Sequence, residues 1–421
     1  MTLALSAYRE ATRLFHRFVP GLLRKRVAAG KEHFERFTER LGISDQVRPD
    51  RLLVWFHGVS VGESLSLIPI IARLRNERPE IAVLITTATM TSAEILSKRL
   101  PAEVIHQFAP VDTPQAVAAF LDHWRPALAV FAESDIWPNL LLAMTARHIP
   151  HALLSARITE KSFKGWQMFR GSMRQLLGDY KLIMAQDDAS NQRLMRMGVT
   201  PGPLANLKTL GAPLTVDETG LAALRAILDG RRAIVAASTH YGEDNIIAKS
   251  LEGFIRDGDL LVLVPRHPIK AGDIRLDLEA LGLHVAQRSL KEPIDALTHV
   301  YLADTLGELG LFFSLADIIV MGGSFLTGIG GHNPLEAARL GKSVITGPDI
   351  ANWEGVFADL LTAQGAWEVA GPTELTFLVR TLRDLPEAVA AANASALAVS
   401  RTEAGTLDRV WQALLPLLPV N

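Results

Sequence analysis

The sequence predicts an α/β protein with two Rossmann-like domains, and three observations predict it. The chain has 421 residues, too many for one ordinary core and suited to two domains of roughly 150 to 200 residues each. From Arg51 onward, short β-branched apolar runs alternate with helical patterns, the mark of parallel α/β units. The alternation breaks at PGPLANLKTLGAP, residues 201–213, and then restarts, so two doubly wound sheets account for it better than one very wide sheet.

The first segment, residues 1–30, is an amphipathic basic helix. Between Met1 and Lys31 there are seven Lys or Arg residues and a single acid, Glu10. Leu3, Ala7, Ala11, Leu14, Phe15, Phe18 and Leu22 recur at helical spacing, while Arg9, Arg13 and Arg17 lie four apart on another face. No run of about 18 uncharged apolar residues exists, and arginines interrupt any signal-peptide core, so the segment is expected to lie on an anionic membrane surface. The same pattern also fits a helix packed on the protein with its arginines in water.

Residues 31–210 form the first domain. Strands are expected at Leu52–Phe56, Ile81–Thr86, Val104–Gln107, Ala127–Phe131, His151–Leu154 and Leu182–Ala185, separated by helices such as Ser64–Arg75 and Pro114–Trp124. Residues 211–385 form the second, with strands at Ala233–Ala237, Leu260–Val264, His299–Leu302, Ile318–Met321 and Ser343–Thr346. An Ala- and Leu-rich helical stretch, 386–421, closes the chain. The net charge of −2 argues against nucleic-acid binding, and the absence of cysteine excludes disulfides, thiolate nucleophiles and cysteine metal sites.

In such domains chemistry is sought in loops that follow strands, at the mouth of a cleft that the two sheets face. After the first strand, His57-Gly58-Val59-Ser60-Val61-Gly62-Glu63 delivers Glu63 to the start of a helix, where a carboxylate can accept a proton from an attacking hydroxyl or simply cap the helix. After the fourth, Glu133 and Asp135 could chelate a divalent metal, orient an acceptor or cap the helix starting at Pro138. The second domain offers Ser238-Thr239-His240, Pro265-Arg266-His267-Pro268, and Gly322-Gly323-Ser324 leading to Gly330-Gly331-His332-Asn333-Pro334-Leu335-Glu336. Glycine backbone and Arg266 suit phosphate, and Glu336 suits ribose hydroxyls, so together these loops describe a nucleotide pocket. Both the dinucleotide and the P-loop glycine spacings are missing. His57, His240, His267 and His332 lack metal-ligand spacing and read as donors to a charged substrate, so neither metal nor cofactor is expected.

The strings HGVSVGE at 57–63, ESDIWPN at 133–139, SARITEKS at 155–162, NLK at 206–208, STHYGED at 238–244, VPRHP at 264–268, DTLGELG at 304–310 and GGHNPLEAARLGK at 330–342 resemble, in this order, the motifs of the 3-deoxy-D-manno-octulosonic acid (Kdo) transferases. The resemblance implies the two-domain glycosyltransferase-B fold, an inverting and metal-independent transfer, CMP-Kdo as donor and a lipid A precursor as acceptor, at the cytoplasmic face of the bacterial inner membrane. By the same resemblance Glu63 is the catalytic base, and Glu133, Asp135, Arg157, Lys161 and Lys208 serve the acceptor. Ser238, Thr239, His240, Arg266, His267, Gly323, Ser324, His332, Asn333 and Glu336 serve the donor. The sequence departs from the family pattern at Asp135, where a Glu is usual, at Ala205, where a Gly is usual, and after Lys208, where an acid gives way to Thr-Leu-Gly-Ala-Pro. These departures keep three alternatives open: a paralogue using another sugar or lipid, a non-catalytic membrane-bound relative, and a nucleotide-sugar epimerase.

Overall fold

The computed structural model describes residues 1–101, 103–133, 136–210 and 214–420. They fall into two compact units, Met1–Gly211 with Ala404–Asn421, and Ala212–Glu403.

The first unit carries β1 (Leu53–His57), β2 (Ala82–Thr87), β3 (Ile105–Phe108), β4 (Leu128–Ala132), β5 (His151–Ala156) and β6 (Leu182–Ala185). They pair in parallel in the order β3-β2-β1-β4-β5-β6. Helices α1 (Leu3–Phe15) and α2 (Val19–Ala28) precede the sheet, and α3 (Val61–Glu77), α4 (Met90–Ser97), α5 (Pro114–Trp124), α6 (Pro138–Ala146), α7 (Glu160–Gln167), α8 (Arg170–Gly178) and α9 (Asp188–Arg196) flank it. The starts of α3, α4, α5, α7 and α9 are written locally: Ser60, Thr89, Thr113, Thr159 and Asp187 each accept the N–H three residues on. Such caps contribute about 1 kcal/mol apiece. Both faces of the sheet are covered, one around Trp55, Phe120 and Phe131, the other around Phe56, Leu67 and Ile70.

The second unit carries β7 (Ala233–Thr239), β8 (Leu260–Pro265), β9 (Val285–Gln287), β10 (Val300–Leu302), β11 (Ile318–Met321), β12 (Val344–Thr346) and β13 (Ala366–Glu368). All are parallel, in the order β13-β12-β11-β7-β8-β10-β9. Its helices are α10 (Glu218–Leu228), α11 (Glu243–Arg256), α12 (Ala271–Ala280), α13 (Leu309–Leu315), α14 (Leu335–Ala338), α15 (Glu354–Thr362), α16 (Pro372–Asp384) and α17 (Pro386–Ala404). The stretch expected as one closing piece is divided. While α17 stays with the second unit, α18 (Thr406–Leu414) belongs to the first, where Trp411 is buried and donates its indole N–H to Glu77 at 2.9 Å.

Two features place the functional residues. Strand order reverses between β1 and β4 in the first unit and between β7 and β11 in the second, and ligands of open α/β sheets bind beyond the strand ends at such switch points. At the amino terminus, α1 docks on the first unit through buried Leu5, a Thr2–Ser172 hydroxyl pair at 2.6 Å, Tyr8 donating to Asp112 at 3.0 Å, and Asn139 donating to Thr12 at 2.9 Å. The apolar face formed by Leu3, Ala7, Ala11, Leu14, Phe15, Phe18 and Leu22 points away and is exposed. Among the described residues no helix is long and apolar enough to cross a membrane.

Candidate active site

In the first unit the loop after β1 holds Glu63. Gly58 is required there, because a Cβ would lie 2.9 Å from the Ser64 nitrogen. Ser60 accepts the Glu63 N–H, while the Glu63 carboxylate reaches back to accept the Ser60 hydroxyl at 2.6 Å and the Val59 N–H at 2.7 Å. This is a capping box, the structural role weighed for this acid, and it fixes the carboxylate without burying it. Each oxygen keeps a lone pair for a further proton donor.

His57 does not join the site. It is 2% exposed, and its Nδ1 lies 2.8 Å from the Thr86 hydroxyl, which already accepts the Trp55 indole N–H. The hydroxyl proton therefore points at His57, and burial pushes the imidazole pKa down to about 4. A neutral, enclosed ring cannot act as a donor to substrate.

Across the switch point, Glu133 follows β4 with φ of 61°, a left-handed conformation that costs a non-glycine residue roughly 1 kcal/mol or more and collects at functional loops. Its carboxylate pairs with Lys208 at 3.0 Å. Lys208 sits on a short 3-10 turn, Leu207–Leu210, whose Leu207 N–H donates to Ser155, itself at φ of 55°. Leu207 and Leu210 pack with Leu67 of α3 in one core. The NLK turn thus ties the Glu63 helix to the Glu133 loop. Lys208, expected to meet an acceptor phosphate, instead neutralises Glu133, because the turn holds its ammonium against that carboxylate. Arg157 follows β5 and is half-buried, and Lys161 is exposed on α7. Asp135 lies outside the described residues.

In the second unit the loops after β7, β8 and β11 bring His240, Arg266, His267, His332, Asn333 and Glu336 together. His240 and His332 stack with their Nε2 atoms 3.1 Å apart, and the His267 ring lies edge-on to His240 at 5.5 Å. Burial, then the charge of Arg266, pushes His332 down to about 4, so this ring is neutral near pH 7. Glu336 is raised by burial and opposed by Arg266, Arg339 and its hydrogen bond with Asn333. Arg266 and His267 stay exposed. One exposed cation among neutral donors, beside a carboxyl that can accept, suits a phosphorylated sugar–nucleotide.

The glycine loops do not hold the anion, contrary to the expectation. Glu243, fully buried, accepts the N–H groups of His240, Gly323, Ser324 and Phe325 at 2.6–3.0 Å. Asp349 likewise takes the N–H groups of Gly328 and Ile329. Both concavities are therefore filled by protein carboxylates. Gly323 matters for space, since at φ of 72° its Cβ would fall 2.6 Å from the His332 ring. Ser324 is 1% exposed and donates to the Met321 carbonyl, so it is structural too. Thr239 spends its hydroxyl on buried Asp244, whose carboxyl burial raises to about 6. Ser238 is partly exposed at φ of 58°. The helix expected to start at His332–Pro334 is α14, only four residues long, too short for a strong dipole. In the 304–310 motif, Asp304 caps Ser289 and Glu308 pairs with Arg288, both away from these loops.

Residues 35–210 match the family model described as 3-deoxy-D-manno-octulosonic-acid transferase (kdotransferase). The probable mitochondrial 3-deoxy-D-manno-octulosonic acid transferase of Arabidopsis thaliana is 35% identical over 378 residues, covering 87% of this chain and 83% of the relative. The 3-deoxy-D-manno-octulosonic acid transferase of Haemophilus influenzae is 30% identical over 395 residues, 92% of each chain. Among solved structures, a glycosyltransferase from Rickettsia africae superposes with a TM-score of 0.61 over 89% of this chain and all of its own, at 10% identity, a likeness of fold.

Proposed function

Because the chain belongs to the 3-deoxy-D-manno-octulosonic acid transferase family, and is therefore a Kdo-transferring glycosyltransferase of the B fold class, we propose that it moves Kdo from CMP-Kdo to a lipid A precursor at the cytoplasmic face of the bacterial inner membrane. The observation that carries the donor reading is the second unit's cluster of Arg266, His240, His267 and His332 beside Glu336, at its switch point. Arg266 and His267 meet the phosphate and sugar carboxylate, and Glu336 with Asn333 meets the ribose hydroxyls.

In the first unit, Glu63 takes the proton from the acceptor hydroxyl as that oxygen bonds to the anomeric carbon from the face opposite the leaving group. The bond from that carbon to the CMP phosphate oxygen breaks, its electron pair leaves with CMP, and configuration inverts. Fixing the carboxylate through Val59 and Ser60 orients it before the acceptor arrives, the kind of preorganisation that makes a base effective. Arg266 offsets the negative charge growing on the departing phosphate. Glu133, held by Lys208, is poised to accept from acceptor hydroxyls.

The membrane reading rests on α1, whose docking uses Leu5 and polar side chains and leaves the larger apolar face, flanked by Arg9, Arg13 and Arg17, to a lipid surface. Mass spectrometry after incubation with CMP-Kdo and a tetra-acylated lipid A precursor tests the whole reading. A mass gain of one or more Kdo units is expected. CMP released from donor alone with no lipid product would instead indicate an epimerase, and an intact acceptor with no CMP release would remove this donor–acceptor pair.

A further inference from the structure

Between α7, α8 and α9 the first unit encloses a cavity of 370 Å³ lined by Phe163, Trp166, Gln167, Arg170, Arg196 and Met197. Phe163 and Met197 are buried and form an apolar floor. The Arg196 guanidinium stacks over the Phe163 ring at 5.0 Å, and Arg170 reaches the Arg196 carbonyl at 3.4 Å, so two guanidinium groups share one small space. Arg174 adds a third nearby, packed where a Cβ on Gly198 would fall 2.8 Å from its guanidinium. Among the described residues no carboxylate pairs with Arg170, Arg174 or Arg196; Glu160 is taken by Arg193 and Lys164. Clustered cations repel one another, and an arrangement that persists without a carboxylate is built for an anion from outside.

The rim says which kind. Met168 is 79% exposed, Phe169 52% and Met195 54%, large apolar groups directly beside the cations. A soluble anion would leave them in water, whereas a phosphate ester with acyl chains covers them. The same edge continues onto α1. Thr2 is bonded to Ser172 and packs on Gly171, which brings Leu3, 90% exposed, to the rim and joins it to the outward apolar face.

We propose that this cavity seats the phosphate head group of an anionic bilayer phospholipid, held by Arg170 and Arg196, with its acyl chains running over Met168 and Phe169 toward α1. The proposal rests on the membrane reading above and deepens it: it names a lipid-recognition site separate from Glu63, Glu133 and the donor loops.

Flotation of the full-length protein with vesicles of phosphatidylcholine, alone or mixed with phosphatidylglycerol, tests it. Native protein should prefer the mixed vesicles. Arg170→Gln/Arg196→Gln should lose roughly tenfold or more of that affinity, with binding to neutral vesicles, thermal unfolding and transfer to a detergent-dispersed acceptor unchanged. A double variant that binds mixed vesicles as the native protein does would overturn the site. Crosslinking with phosphatidylglycerol carrying a photoreactive head group separates a seat from diffuse attraction. Adducts on peptides holding residues 163–170 and 195–197 are expected, and adducts confined to α1 would overturn the proposal. Displacement from the mixed vesicles by inorganic phosphate at matched ionic strength would show a free-phosphate site instead. If native protein binds neither vesicle, the membrane reading itself fails.

Discussion

Glu63 and Glu243 occupy matching places, each following the first strand of its unit in a Gly-Glu pair, Gly62-Glu63 and Gly242-Glu243. Their carboxylates do opposite work. Glu63 accepts one N–H and one hydroxyl and remains accessible, whereas Glu243 is enclosed and satisfies four backbone N–H groups of the donor loops. Replacing Glu243 by Ala strands those donors in a buried site, so a stability loss of about 3–5 kcal/mol is expected, the scale for removing one partner of a buried charge. Because the same N–H groups fix Gly323 under His332 and position His240, Glu243→Gln should raise the KM for donor more than it lowers kcat. Chemical denaturation and steady-state kinetics check both, and a Gln variant with native donor KM would show that these loops hold their shape without the carboxylate.

At the scale of elements, much of the architecture is legible because its signals are local. The expected strands fall within one or two residues of those formed, and Thr113 with Pro114 marks the start of α5 as hydroxyl caps and first-turn prolines should. The strands that escaped notice, β9 and β13, have three residues each, too few for periodicity to register. Roles escaped where they depend on distant partners. Glu243 meets residues some 80 positions away, and Lys208 is turned toward Glu133 by a contact with Ser155. The one available clue to Glu243 was its spacing of three from His240, the same as Ser60 to Glu63. For α1 the sequence showed an apolar face and an arginine face but not that a third, Leu5 with Tyr8 and Thr12, would dock. That docking is testable. Tyr8 donates to Asp112, which also caps Asn139 and Leu140 at the start of α6, so Tyr8→Phe should cost roughly 1 kcal/mol and free α1 first. Limited proteolysis should then cut within residues 1–30 while the rest resists, and unchanged protection would assign the docking to Leu5 alone.

At the scale of the molecule, chemistry is divided between two independently cored sheets, each placing its groups at its own switch point. The first supplies a fixed base and acceptor-facing groups, and the second supplies one exposed cation among neutral imidazoles. Such a division predicts that damage to one half leaves the other's binding intact. The central claim is that Glu63 takes the acceptor's proton, and the most direct test is kcat for Kdo transfer by Glu63→Gln, measured beside its affinity for CMP. A fall of about 10²–10⁴ in kcat with native CMP affinity is expected for loss of a positioned general base. A kcat within a few-fold of native, with CMP binding unchanged, would contradict the account and leave Glu63 as a helix cap alone.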